Sequence, residues 1–283
     1  MPLQFTKMHG LGNDYVYVSL FDQSVANPVR LAKAISDRHR GVGSDGLILV
    51  GPPESADAHA RMQMFNADGS RAQMCGNGIR CVAKLAYERG WARSNPLRVQ
   101  TDAGVLSLDL ALDRAGRVEQ VRVDMGAPVL DPRQIPVLLP GERVVSAAIP
   151  LPEKVLNVTC VSMGNPHAVF FVEDLMQVPL KQWGPMIERH PLFPQRINAH
   201  FVQVQSPERV KMATWERGAG ATQACGTGAS AVCVAGVLNR LTQRKITAQL
   251  PGGFLTLEWD EGSGHVFMTG PATEVFTGVW PEA

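Results

Sequence analysis

Two short runs carry the same reactive and permissive residues, Cys75-Gly76-Asn77-Gly78 and Cys225-Gly226-Thr227-Gly228. Each opens a stretch of helical character, Ile79 to Glu88 in one case and Ala229 to Leu238 in the other. The first turn of a helix leaves backbone N–H groups unpaired and carries the positive end of the helix dipole, so an anion is favoured there. A carboxylate meets that demand, and so does a thiolate, because the same terminus lowers the pKa of a nearby cysteine. Gly76, Gly78, Gly226 and Gly228 allow unusual backbone angles and remove side chains that would block close approach of a ligand. Inversion at a carbon stereocentre requires a base on one face of the carbon and an acid on the other. One thiolate and one thiol, exchanging roles with reaction direction, would supply both. The carbanion would pass its charge into a substrate carboxylate held by the helix N–H groups, as in an oxyanion hole.

Other chemistry finds less support in the spacing. Five cysteines form neither an even disulfide framework nor a CxxC pair with zinc spacing. Cys81, Cys160 and Cys233 read as small buried hydrophobes. The run Gly41-Val42-Gly43-Ser44-Asp45-Gly46 matches GxGxxG but precedes the strand-like Leu47-Ile48-Leu49-Val50, the wrong order for a dinucleotide site. Gly226-Thr227-Gly228-Ala229-Ser230-Ala231 does open a helix, but Thr247-Ala248-Gln249 stands where an acidic residue is needed. A P-loop run is absent, and the seven histidines lack HExxH or CxxC companions, so the residues call for no cofactor and no metal.

The two cysteine runs belong to a longer repeat. Gly12-Asn13-Asp14 with the strand after it matches Gly164-Asn165-Pro166-His167, and Arg61 to Asn66 matches Lys211 to Glu216. Gly104 to Leu110 likewise matches Gly253 to Trp259, and the offset drifts only from 152 to 149 residues along the chain. Alternation at Leu106, Leu108 and Leu110, and at Leu255, Leu257 and Trp259, marks half-buried strands. Each copy therefore reads strand, strand, Cys-Gly-x-Gly, helix, strands, which predicts an α/β or α+β class with two similar domains. Gly126-Ala127-Pro128 marks the boundary. Five prolines between Asp131 and Pro152 predict an irregular or edge-strand segment. The helix after Cys225 carries no charge and must be buried, whereas that after Cys75 carries Arg80, Lys84 and Glu88.

A chain of 283 residues, 45% hydrophobic, with 27 basic and 26 acidic side chains, can bury substantial cores and shows no electrostatic footprint for nucleic acid or an anionic membrane. The first residues lack the apolar core of a signal peptide and no run is long enough to span a bilayer, so a cytoplasmic location and a small-molecule partner are expected.

Taken together, Phe5 to Asp14, Phe65 to Ser70, Met74 to Gly78, Gly164 to His167 and Glu216 to Gly228 resemble the diaminopimelate epimerase family over nearly the whole chain. The resemblance implies interconversion of the LL and meso forms of 2,6-diaminoheptanedioate without pyridoxal phosphate, in lysine biosynthesis. It implies that Cys75 and Cys225 are the acid/base pair, with His167 and Glu216 in support. It further implies that Asn13, Asn66, Gly76, Asn77, Asn165, Asn198, Glu216, Arg217, Gly226 and Thr227 bind substrate, and that Phe276 takes part in a homodimer. The implied fold is two pseudo-symmetric domains, 1–126 with 271–283 and 127–270, each a curled, mostly antiparallel sheet around a central helix, closing over substrate in the cleft between them. Tyr15, Ala221 and His200 depart from the common family pattern. A proline-racemase-like activity with two cysteines, or a non-catalytic amino acid binding protein, remains the alternative.

Overall fold

The structure, a computed structural model, describes residues 2–152 and 154–281. The chain divides into two compact units, Met1–Val123 with Gly270–Ala283, and Asp124–Thr269.

In the first unit β1 (Leu3–Gly10) and β2 (Asn13–Ser19) form an antiparallel hairpin. Its turn residues Leu11 and Gly12 both have positive φ, 56° and 82°, as a two-residue hairpin turn matched to strand twist requires. α1 (Pro28–Ser36), capped by the Asn27 side chain and started by proline, carries the chain over to β3 (Gly46–Gly51), parallel to β2. Then β4 (Ala60–Asn66) and the two-residue β5 (Arg71–Ala72) add antiparallel. α2 (Gly76–Glu88) leads to β6 (Leu97–Thr101), parallel to β4, and β7 (Gly104–Leu112) and β8 (Val118–Asp124) follow as a meander.

The second unit repeats this plan strand for strand. β9 (Ala147–Leu151) edges β10 (Lys154–Ser162), which pairs antiparallel with β11 (Pro166–Phe171). α3 (Leu180–Glu188) crosses to β12 (Asn198–Ser206), parallel to β11, and β13 (Arg209–Glu216) and β14 (Gly220–Ala221) follow antiparallel. α4 (Gly226–Leu238) leads to β15 (Lys245–Leu250), parallel to β13, then β16 (Gly253–Trp259) and β17 (Val266–Gly270). β18 (Thr273–Trp280) returns to the first unit and pairs with β1, the place that β9 fills beside β10. The proline-rich stretch is thus largely irregular and ends in an edge strand containing Pro150, where a missing N–H costs no ladder bond.

Each unit buries its 13-residue helix. Val232, Cys233, Val234 and Ala235 of α4 have no exposure, as its uncharged sequence predicts. In α2, whose sequence carries three charges, Arg80 is fully buried all the same. Its guanidinium compensates for lost hydration by donating to the Gly76 carbonyl at 2.9 Å, the Asn77 Oδ1 at 3.1 Å and the Pro271 carbonyl at 3.1 Å. Among the described residues no helix is long and apolar enough to cross a membrane.

Candidate active site

Cys75 is the N-cap of α2, and its sulfur accepts from the Gly78 N–H at 3.4 Å. Three of the residues singled out in this half meet at that helix start. Asn13, at the head of β2, places Oδ1 3.4 Å from the Cys75 sulfur and 3.4 Å from Asn77 Nδ2. The other end of the Asn13 amide donates to Asp45 at 2.7 Å, which fixes which end faces the cysteine. Asp45 and Asp14 are in turn tied together by Arg38, and Lys7 bridges Asp14 to the Gly43 carbonyl. Asn66, at the end of β4, instead turns its amide to the Ser70 hydroxyl at 2.9 Å and is half-buried. The buried Tyr15 presents its hydroxyl to Cys75 and Asn13, a feature the spacing of residues did not reveal. Burial and the neighbouring thiol push the Tyr15 pKa upward, so it stays a neutral phenol.

Cys225 is the N-cap of α4 and is buried, with its sulfur 3.7 Å from the Thr227 hydroxyl. The sequence expectation of a lowered thiol pKa at this helix start fails here. Burial is the largest influence and the Glu216 carboxylate adds to it, so the Cys225 pKa lies well above the ordinary value although Thr227 and the Gly228 amide pull the other way. The resting form is the thiol. Glu216, at the end of β13, accepts from the Thr222 hydroxyl at 2.6 Å. Arg217 is exposed, and its guanidinium donates to the Gln195 carbonyl at 3.0 Å. The buried Asn198 clamps the same corner, donating to the Pro166 carbonyl at 2.8 Å and accepting the Arg217 N–H at 2.9 Å. Behind it the buried Glu188 of α3 receives Trp215 Nε1–H at 2.8 Å and the Gly218 N–H at 3.1 Å, a carboxylate that sequence reasoning missed.

His167 Nε2 lies 2.9 Å from Asn165 Oδ1 and its Nδ1 lies 2.9 Å from His200 Nε2, while His200 Nδ1 lies 3.0 Å from the Thr214 hydroxyl. Both rings are fully buried, which pushes the His200 pKa down to about 3 and that of His167 well below its ordinary value, with His200 and Arg217 adding to the effect on His167. The His200 ring also sits over the first turn of α4. A Cβ added at Gly228 would overlap it, so that glycine serves close packing. None of the four motif glycines has positive φ: Gly76, Gly78, Gly226 and Gly228 all lie within regular helix and leave the conformational freedom of glycine unused.

Phe276 lies on β18, 46% exposed, edge-on to Phe5 with ring centroids 6.0 Å apart, and Val275 and Val279 on the same strand are exposed too.

The duplicated fold recurs among solved structures. A PhzF-family phenazine biosynthesis protein from Bacillus anthracis superposes with a TM-score of 0.71 at 15% identity, covering 100% of both chains. A hydroxyproline epimerase from Agrobacterium vitis gives 0.67 at 15% identity, covering 99% of this chain and 92% of the other. The class is therefore this two-unit mixed α/β fold, and in this chain each copy holds one buried helix that a cysteine caps. Within it the chain belongs to the diaminopimelate epimerase family, whose sequence model matches residues 5–130 and 159–275. Curated diaminopimelate epimerases from Acetivibrio thermocellus and Pelotomaculum thermopropionicum are 53% and 52% identical, covering 98% and 99% of this chain and the same shares of theirs. That of the archaeon Methanococcus maripaludis is 48% identical over 98% of this chain and 99% of its own.

Proposed function

We propose that Cys75 and Cys225 are the acid and base that invert the α-carbon in the family reaction. The activity is epimerisation of diaminopimelate, an isomerase step of lysine biosynthesis. The observation that carries the assignment of the two thiols is their equivalence. Each caps a buried helix of the same length at the same point of the repeated strand order. Of the five cysteines, Cys81 and Cys233 lie inside α2 and α4 and Cys160 inside β10, so none of the three caps a helix, and burial pushes the pKa values of Cys81, Cys233 and Cys160 up to about 11, 12 and 12.

In this reading the Cys225 thiol is the proton donor of the resting state, and Cys75 takes the α-proton in that direction. Removing the proton leaves a carbanion whose electron pair moves into the α-carboxylate. The N–H groups at Gly76-Asn77 and at Gly226-Thr227 hold that carboxylate, where the helix dipoles favour the added charge. Delivery of the Cys225 proton to the opposite face completes the inversion and leaves a thiolate beside Glu216; the reverse reaction exchanges the roles. Glu216 and His167 tune and shape the Cys225 side. Asn13, Asn66, Asn165 and Asn198 and the Arg217 fork bind the amino and carboxylate groups of the two-ended substrate. A two-thiol route needs no cofactor. A cytoplasmic homodimer, with Phe276 and its exposed neighbours on β18 at the contact, completes the reading.

The purified chain, incubated with LL-diaminopimelate in deuterated water under reducing conditions, is expected to place deuterium at one α-carbon of the meso product. Absence of incorporation would overturn the activity. Cys75→Ala and Cys225→Ala enzymes that turn over at the native rate would overturn the thiol roles.

A further inference from the structure

Asn165 is only half-buried, and its carbonyl end is the end turned inward, toward His167. Which end of an amide faces inward is a hydrogen-bonding question, and here a chain of buried groups answers it. The chain begins at Thr214 on β13. Its hydroxyl is buried and His200 Nδ1, at 3.0 Å, is the one hydrogen-bond partner found for it among the described residues. A hydroxyl proton left without an acceptor in the interior is costly, so Thr214 donates and His200 Nδ1 accepts. The His200 ring is fully buried with no carboxylate of the described residues against it, so it carries a single proton, and that proton is on Nε2. The Nε2–H then donates to His167 Nδ1 at 2.9 Å, which places the proton of the equally buried His167 on its own Nε2. That N–H needs an acceptor at 2.9 Å, and Asn165 Oδ1 is the end of the amide that can accept. The opposite direction would reverse every bond, orphan the Thr214 proton and turn the Asn165 oxygen outward.

We propose that Thr214, His200 and His167 form a one-way hydrogen-bond chain that locks the Asn165 amide with its oxygen inward and its NH2 outward, as a fixed donor to a substrate carboxylate. His200 and Thr214 are thereby positioning residues, acting through His167 on a group that touches substrate. The proposal rests on the reading of Asn165 as a substrate ligand. His200, a departure from the common family pattern, enters the site as the middle of this chain, and Gly228 supplies the space its ring occupies.

The test reads the tautomers directly, then the binding. With 15N-labelled histidine, long-range nitrogen–proton NMR of the whole protein at pH 7.5 is expected to show His167 and His200 both neutral with the proton on Nε2. Thr214→Val removes the hydroxyl at nearly constant volume and releases the direction of the chain. KM for diaminopimelate is expected to rise about tenfold, as for loss of one hydrogen bond to a charged group, with kcat within about twofold of native. Thr214→Ser, which keeps the hydroxyl, is expected to restore both the tautomers and KM. A proton on Nδ1 of either ring in the native protein, or a Thr214→Val enzyme with native KM, overturns the proposal. An Asn165→Leu enzyme with native KM beside the expected tautomers instead overturns the assignment of Asn165 to substrate.

Discussion

The guanidinium of Arg80 donates through Nε to the carbonyl of Pro271 at 3.1 Å, joining the helix that Cys75 caps to the segment by which the chain returns to its first unit. The same side chain holds the Gly76 carbonyl and the Asn77 amide oxygen, so one buried cation braces the first turn of α2 and anchors the residues that lead into β18. Burial lowers the Arg80 pKa, but a guanidinium stays charged over any accessible range.

Replacing Arg80 by Met should therefore leave several inward-facing acceptors without their donor and lower stability by about 3 kcal/mol. Arg80→Lys should recover little of it, because a single ammonium cannot span three acceptors in the plane of a fork. Urea unfolding followed by circular dichroism measures both. A Lys variant as stable as native would show that charge alone, without the fork geometry, is what this position supplies.

Gly228→Ala tests the close approach of His200 to α4. The added Cβ would meet the imidazole ring, whose two nitrogens are both engaged, so the ring cannot yield without breaking the chain to Asn165. A loss of about 2 kcal/mol and a sharp fall in kcat/KM are expected. The equivalent change in the other copy, Gly78→Ala, meets the end of the Ile48 side chain, which can shift, and should cost under about 1 kcal/mol. Equal losses at the two glycines in denaturant titration would remove His200 as the cause.

The contrast between these glycines shows where sequence reading succeeds and where it stops. The repeat at a near-constant offset revealed both helix starts, because Cys-Gly-x-Gly is local and the strands around it alternate. The burial of α4 was legible for the same reason, since no residue from Ala229 to Leu238 is charged. Arg80 was not legible as a buried cation: its partners include Pro271, 191 residues away, and nothing local distinguishes it from a solvated charge. His167, His200 and Thr214 lie on three different strands and meet only through the parallel pairing of β11 with β12 and the antiparallel pairing of β12 with β13, so their spacing in sequence carries no trace of the contact. The raised pKa of Cys225 was hidden for a related reason. The helix start predicts a low value, whereas burial and Glu216, both products of tertiary packing, decide it.

Glu188 offers a test of how the substrate corner is held. Its buried carboxylate receives the Trp215 indole N–H and the Gly218 N–H, one on each side of Glu216 and Arg217, with Arg196 3.6 Å away. In Glu188→Gln one of those donors faces an NH2 group, and the other loses a charged acceptor. A stability loss of about 2 kcal/mol is expected, together with a rise in KM larger than any fall in kcat, because the backbone that presents Arg217 is displaced. Steady-state kinetics and urea unfolding of the same preparation check it; a kcat defect at native KM would count against a role in presenting Arg217.

Acid should weaken the fold through the two buried histidines. Their folded pKa values lie below that of a histidine in the unfolded chain, about 3 for His200 against an ordinary 6.5. The unfolded chain therefore takes up protons that the folded chain refuses as pH falls below about 6.5. The stability they confer is complete above that pH and is lost on the way down, at about 1.4 kcal/mol per pH unit for each ring. Carboxylates held low by hydrogen bonds, such as Asp14, add their own loss only nearer their ordinary value of 3.8, so the interval from pH 6 to pH 5 isolates the histidines. His200→Gln keeps an N–H donor toward His167 and removes one of the two titrating groups. Its stability should fall by about 1.4 kcal/mol less than that of the native protein for each pH unit in this interval. Urea midpoints at pH 7.5, 6.0 and 5.0 for both proteins decide the matter, and parallel curves would mean that His200 is already protonated in the folded state.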